Sequence, residues 1–390
     1  MSRRGSARPG ALAAPPAGTR VLAPVTSHSA ADGPLWRAAL TTARSAQAPA
    51  RNGPYGPLRA PDENGIAVPD GFTVRVLARS GYKSAGMVWH AAPDGGACFP
   101  DGDEWIYVSN SQAPLLGGVS AIRFGAGGEL RGAYRILSGT SLNGAGCATP
   151  WHTWLSGESI PGGRVFECDP YGTAAAMPRL SMGRLTHRSM ACDPDRRVVY
   201  LTEDEPDGCL YRFVPDEWGD LTSGTLQVLL TGPDGTGPVV WRRVPNPAAV
   251  IEPARYQVPG ARRFDRPAGC HYADGVCRFV TADGRVWCYD AVNHTLEAAR
   301  DASLPAAPPS RAGDVFVAGA AMTIDVLHPD GTATPFLRVT GHDSSTITGM
   351  AFSPDGRHLC FSSRLGATGE VGGTGGVTFA VSGPFGRGDR

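Results

Sequence analysis

A chain of 390 residues exceeds what one simple core accommodates, which leaves several domains, a large α/β enzyme or a closed repeat architecture. With 52 glycines and 34 prolines, the composition disfavours long helices and suits many short strands joined by tight turns. Basic and acidic residues balance at 36 each, and no apolar run approaches the ~20 residues of a membrane span, so the expectation is no nucleic-acid partner and no membrane span.

Residues 1–64 are rich in Ala, Pro, Ser and Arg and hold no sustained period, which predicts a disordered leader with one short helix near 35–47. Arg3-Arg4 begins like a twin-arginine export signal, but Gly5-Ser6-Ala7-Arg8-Pro9 and the Ala/Pro-rich stretch behind it make a poor apolar region. Localisation therefore stays open between export and the cytoplasm. From Gly65 onward one pattern recurs: an apolar or β-branched strand, a short Gly- or Asp-containing turn, and a second such strand. The pairs are 105–110 with 119–124, 151–158 with 164–168, and 198–204 with 209–214. They continue as 276–281 with 286–289, 315–318 with 324–327, and 359–363 with 377–381. Turns such as Pro206-Asp207-Gly208 and Ala282-Asp283-Gly284 suit hairpins.

The spacing predicts an all-β fold, a six-bladed β-propeller over 65–386 behind the disordered N-terminal leader, and a monomer is expected. Radial packing buries the faces of each small sheet and hides most of its edges. The trailing segment 376–384 is expected to close the ring by pairing with a strand from the other terminus. The nine cysteines form no CxxC pair and sit mostly in apolar runs, so they read as buried small hydrophobes.

Inner strands of a propeller run the same way along its axis, so equivalent strand ends converge on one small volume. Taking the first strand of each pair as the inner one places Asn110, Glu158, Glu203 and Asp204 there as candidate metal ligands. Calcium requires several oxygen ligands, and these residues are candidates for part of such a shell. The same acidic cluster, Glu203-Asp204-Glu205 with Asp207-Gly208, also suits a solvated hairpin turn. His187 and His152 are metal-ligand or proton-transfer candidates that equally suit structural roles. No catalytic residue is assigned: GxSxG, P-loop, dinucleotide-binding and HExxH motifs are missing.

Several words in order are similar to the PhoX-type alkaline phosphatase family: Trp89-His90, Pro93-Asp94-Gly95-Gly96-Ala97-Cys98-Phe99, Tyr107-Val108-Ser109-Asn110-Ser111, Thr149-Pro150-Trp151, Tyr200-Leu201-Thr202-Glu203-Asp204, Phe352-Ser353-Pro354-Asp355-Gly356 and Gly383-Pro384-Phe385. The resemblance runs from about Gly65 to Phe385. It implies a six-bladed propeller that hydrolyses phosphomonoesters at a calcium- and iron-containing axial site, with a small phosphorylated molecule as ligand of the central channel. It also implies departures. Where the family shows Asn-Cys-Ala-Gly-Gly, this chain has Asn143-Gly144-Ala145-Gly146-Cys147, displacing the thiolate by three positions. Gln112 and Arg188 stand where glutamates are usual, Ala268 replaces another, and the acidic pairs of the fifth blade are missing around 309–321. Such a site predicts loss of the iron–calcium cluster and weak or absent phosphatase activity. The alternative reading is a non-catalytic propeller that binds a ligand in its central channel; a sugar-lactonase-like propeller is a third.

Overall fold

The computed structural model describes residues 53–299, 314–319, 321–328, 331–370 and 375–385. The leader over 1–52 and its short helix near 35–47 lie outside the described residues, as do 309–313 and 320 of the 309–321 stretch. Residues 53–64, expected to lie in the leader, pack on the fold: the Arg59 amide donates to the Val68 carbonyl at 3.1 Å, and Tyr55 meets Phe72 edge-on, ring centres 5.4 Å apart.

Strands dominate because the chain alternates β-branched and aromatic residues between turns that glycine closes. Helical structure among the described residues consists of short 3-10 turns such as Leu180–Met182 and Ala254–Tyr256. The first antiparallel meander runs Pro93–Asp101, Glu104–Ser111, Gly117–Phe124, Leu130–Thr140, and the second runs Asn143–Ala148, Trp154–Glu158, Val165–Cys168, Met177–Pro178. The third is His187–Asp193, Val198–Glu203, Leu210–Glu217, Asp220–Thr231; the fourth is Ala268–Ala273, Val276–Val280, Val286–Asp290, Thr295–Ala299. Gly237–Arg243 pairs with the outer strands of both and joins them into one nine-stranded sheet.

The last two meanders are completed from the other end of the chain. Ile66–Ala67 joins Val315–Ala318, Thr323–Leu327 and Ala333–Val339, while Thr73–Arg79 joins Ile347–Phe352, His358–Ser363 and Val377–Ser382. Thr73 faces Ser382 and Ile66 faces Val339, so the closing contact expected of the trailing segment is present.

Apolar clusters fill the spaces between neighbouring meanders. Phe99, Ile106 and Val108 of the first pack with Trp154, Phe166 and Cys168 of the second. Each fully buried side chain of this size contributes roughly 1.5–3 kcal/mol relative to exposure, so these wedges hold the sheets in their radial order.

The structure corrects the choice of inner strand. In five of the six sequence pairs, the first member is the second strand of its meander; only 315–318 is innermost. The inner strands are Pro93–Asp101, Asn143–Ala148, His187–Asp193, Ala268–Ala273, Val315–Ala318 and Ile347–Phe352. The first two hold runs of small residues, Gly95-Gly96-Ala97 and Gly144-Ala145-Gly146, where they crowd each other. A Cβ on Gly95 would lie 2.7 Å from Ala145 Cα and 2.9 Å from the Gly144 carbonyl, on the backbone of the next inner strand.

Candidate functional site

All six inner strands line one cavity of about 520 Å³. Its wall is mostly backbone and small side chains, with Cys147, Cys192, Cys270 and His271 among the larger groups. Among the described residues the lining holds one carboxylate, Asp94, and two guanidinium groups, Arg188 and Arg364. Asp94 is buried, and its Oδ2 has no hydrogen-bond partner. Burial and the nearby charge of Arg278 lower the pKa of His271, so it faces the cavity as a neutral imidazole at pH 7.

The cations cluster around Gln112. Arg364, only 4% exposed, donates through Nη1 to the Gln112 Oε1. On the amide's other side lies Gly144, where a Cβ would sit 3.0 Å from Arg188 Nη1, 2.9 Å from Ser159 Oγ and 3.6 Å from Gln112 Nε2. The position at which the family resemblance places a cysteine is thus glycine here, and a guanidinium, a hydroxyl and an amide crowd over it.

The four sequence-predicted ligands are not brought together on this cavity. Asn110 is buried and bridges the first two meanders: its Nδ2 donates to the Gly144 carbonyl, while its Oδ1 accepts from Trp154 Nε1 at 2.8 Å and Ser156 Oγ at 3.1 Å. Glu158 ends its strand by accepting from the Ser141 and Arg164 amides and pairing with the Arg164 side chain at 3.2 Å. Glu203 accepts from the Tyr211 hydroxyl at 2.8 Å and from Arg255 Nη1 at 2.9 Å. Asp204 pairs with Arg266 at 3.1 Å. Arg255 also reaches Asp207 at 3.0 Å, so one guanidinium stands among the acidic groups where the sequence suggested calcium. Burial pushes the Glu203 carboxyl above its ordinary value, with Tyr211 and Arg255 pulling it back.

The histidine candidates also separate from the cavity lining. His187 is buried with Nε2 bonded to the Gly183 carbonyl at 3.1 Å, and burial lowers its pKa to about 4. His152 sits in an exposed turn with φ of 63°.

This donor set does not fit a cluster of several hard cations, which needs converging carboxylates. Three of the acidic candidates already hold arginines, and the cavity itself offers Asp94 against Arg188 and Arg364. Among the described residues, no group of three or more His, Cys, Asp or Glu side chains gathers to hold a metal.

Sequence reasoning missed Arg364, Asp94 and the cysteine pair Cys147–Cys192, whose sulfurs are hydrogen-bonded 3.6 Å apart. The available signal was the run of small residues ahead of the apolar strands Glu104–Ser111 and Trp154–Glu158.

An all-β chain of antiparallel meanders whose inner strands enclose an axial cavity is a β-propeller. Residues 161–315 match the family described as Alkaline phosphatase PhoX. The structure is similar to that of Pseudomonas fluorescens PhoX in complex with vanadate, a transition state analogue, with a TM-score of 0.65 and 16% identity over 84% of this chain and 97% of that one. It is also similar to XC5397 from Xanthomonas campestris, a gluconolactonase, with a TM-score of 0.51 and 13% identity over 85% of this chain and 99% of that one. No curated protein matches the sequence. The family match and the likeness to the Pseudomonas protein agree with the PhoX-type resemblance read from the sequence, and the second shows a shared propeller fold. Among the described residues, no helix is long and apolar enough to cross a membrane.

Proposed function

We propose that this PhoX-family propeller binds a small phosphorylated molecule in its axial cavity through Arg188 and Arg364, and that phosphomonoester hydrolysis is weak or lost. The observation that carries this reading is the exchange of charge between two places. Arg188 and Arg364 line the cavity, Arg364 holding Gln112, while Glu158, Glu203 and Asp204 are each engaged by an arginine elsewhere. Metal-dependent phosphatases of this family need cations to neutralise the charge on the transferring phosphoryl group. Here fixed guanidiniums supply positive charge to a bound phosphate without supplying a metal-bound nucleophile. Calcium at a reduced site and the iron of the family are both disfavoured by the same pairing.

Titration calorimetry with inorganic phosphate and p-nitrophenyl phosphate tests the binding. Arg188→Ala is expected to weaken affinity by about tenfold or more, the loss of one charge-assisted contact of about 1.5–3 kcal/mol. Equal affinity in the variant, or no binding by the parent, would overturn the site assignment. Hydrolysis of p-nitrophenyl phosphate with added calcium and iron tests the second half. Robust turnover that disappears in Glu203→Gln would restore the metallophosphatase.

A further inference from the structure

Three cysteine contacts occur in the propeller: Cys98 with Cys360, Cys147 with Cys192, and Cys270 with Cys277. They differ in what reaches them. Cys277 and Cys360 are fully buried, so each of those two contacts has one sulfur shut away from solvent. Cys147 and Cys192 are both partly accessible and both line the axial cavity, on the adjacent inner strands Asn143–Ala148 and His187–Asp193. Their sulfurs are 3.6 Å apart and 45 residues apart in sequence.

We propose that Cys147 and Cys192 form a reversible peroxide-sensitive dithiol, an oxidative modification site that ties the second and third meanders together across the cavity wall. The Cys147 thiolate attacks one oxygen of hydrogen peroxide, the O–O bond breaks, and the departing hydroxide takes up a proton to leave as water. Cys147 is then a sulfenic acid. The Cys192 sulfur attacks it as its own proton departs, the S–S bond forms, the S–O bond breaks, and a second water leaves. Two thiols are oxidised by two electrons and one peroxide is reduced to two waters. To form the bond the sulfurs close from 3.6 Å to about 2.05 Å.

The electrostatics assign the order of events. Hydrogen bonding to Cys192 draws the Cys147 thiol below its ordinary value despite burial, while that contact and burial push Cys192 well above. Cys147 is the attacking sulfur and Cys192 the resolving one. Cys98, Cys168, Cys209, Cys277 and Cys288 are all raised, chiefly by burial.

The test uses the full chain, reduced, desalted and treated with about one equivalent of hydrogen peroxide. Peptide mapping without reductant is expected to show a Cys147–Cys192 cross-link that dithiothreitol removes. In Cys192→Ser the sulfenic acid should persist on Cys147 and take up dimedone, whereas the parent should take up several-fold less. Thermal melts of the reduced proteins establish that the variant is folded, and Cys147→Ser provides the converse control, with neither cross-link nor dimedone at this site. A cross-link mapped first to Cys270–Cys277, equal dimedone labelling in parent and Cys192→Ser, or unreacted thiols at excess peroxide would each overturn the proposal.

Discussion

Arg255 shows how one side chain redirects an acidic turn. It reaches Glu203 at 2.9 Å, Asp207 at 3.0 Å and Glu205 at 3.9 Å, and Glu203 is almost fully buried. Removing the guanidinium leaves a buried carboxylate without its cation, which typically costs about 3–5 kcal/mol. Arg255→Ala is therefore expected to melt well below the parent. It also leaves three carboxylates around one vacated point, the kind of oxygen cage a hard cation enters. Millimolar calcium should raise the melting temperature of Arg255→Ala and leave that of the parent unchanged. Equal stabilisation of both proteins would mean that the arginine does not occupy a cation's place. The acidic turn was legible in the sequence, but its neutralisation was not, because Arg255 and Arg266 lie 52 and 62 residues from the groups they hold.

The strands repeat this division between what periodicity reveals and what it hides. Strands such as Glu104–Ser111 and Val198–Glu203, buried on both faces, announce themselves as apolar runs. Two of the inner strands carry Gly95-Gly96-Ala97 and Gly144-Ala145-Gly146 instead, and at Gly95 the next inner strand's backbone lies too close for a side chain. Hydrophobic pattern therefore located the second strand of most meanders and took it for the first. That displacement by one strand put Glu158 and Glu203 on the axis in expectation. The propeller class was recoverable despite it, because turn chemistry and strand spacing are set by the outer strands. The crowding is measurable. Gly95→Ala should destabilise the fold by about 1–3 kcal/mol through overpacking, whereas Gly132→Ala, with open space around its Cβ, should stay within about 0.5 kcal/mol. Urea midpoints compare the two, and equal shifts would show that axial crowding is not what selects glycine.

At the scale of the whole molecule, two enclosed histidines tie stability to pH. His90 is held between Ser120 and Ser109, and burial, aided by the charge of Arg135, lowers its pKa to about 3; burial lowers that of His187 to about 4. Both values fall below the unfolded 6.5, so the unfolded chain binds more protons as the pH drops past that value. Their contribution is complete above about pH 6.5 and is lost as the pH falls toward 4 and then 3, each histidine accounting for a few kcal/mol. Melting temperatures should decline over this window, and the decline should be shallower in His187→Asn; an identical slope in that variant would remove His187 from the effect. The ring has a further consequence, for synthesis. Among the described residues, Thr73–Arg79 pairs with Val377–Ser382 and Ile66–Ala67 with Ala333–Val339. As the nascent chain leaves the ribosome, these two strands must wait with open edges until those distant partners have been translated. Through that interval they are exposed to pairing with the wrong neighbour, and the clasp that closes the ring cannot form until both sides of it have emerged.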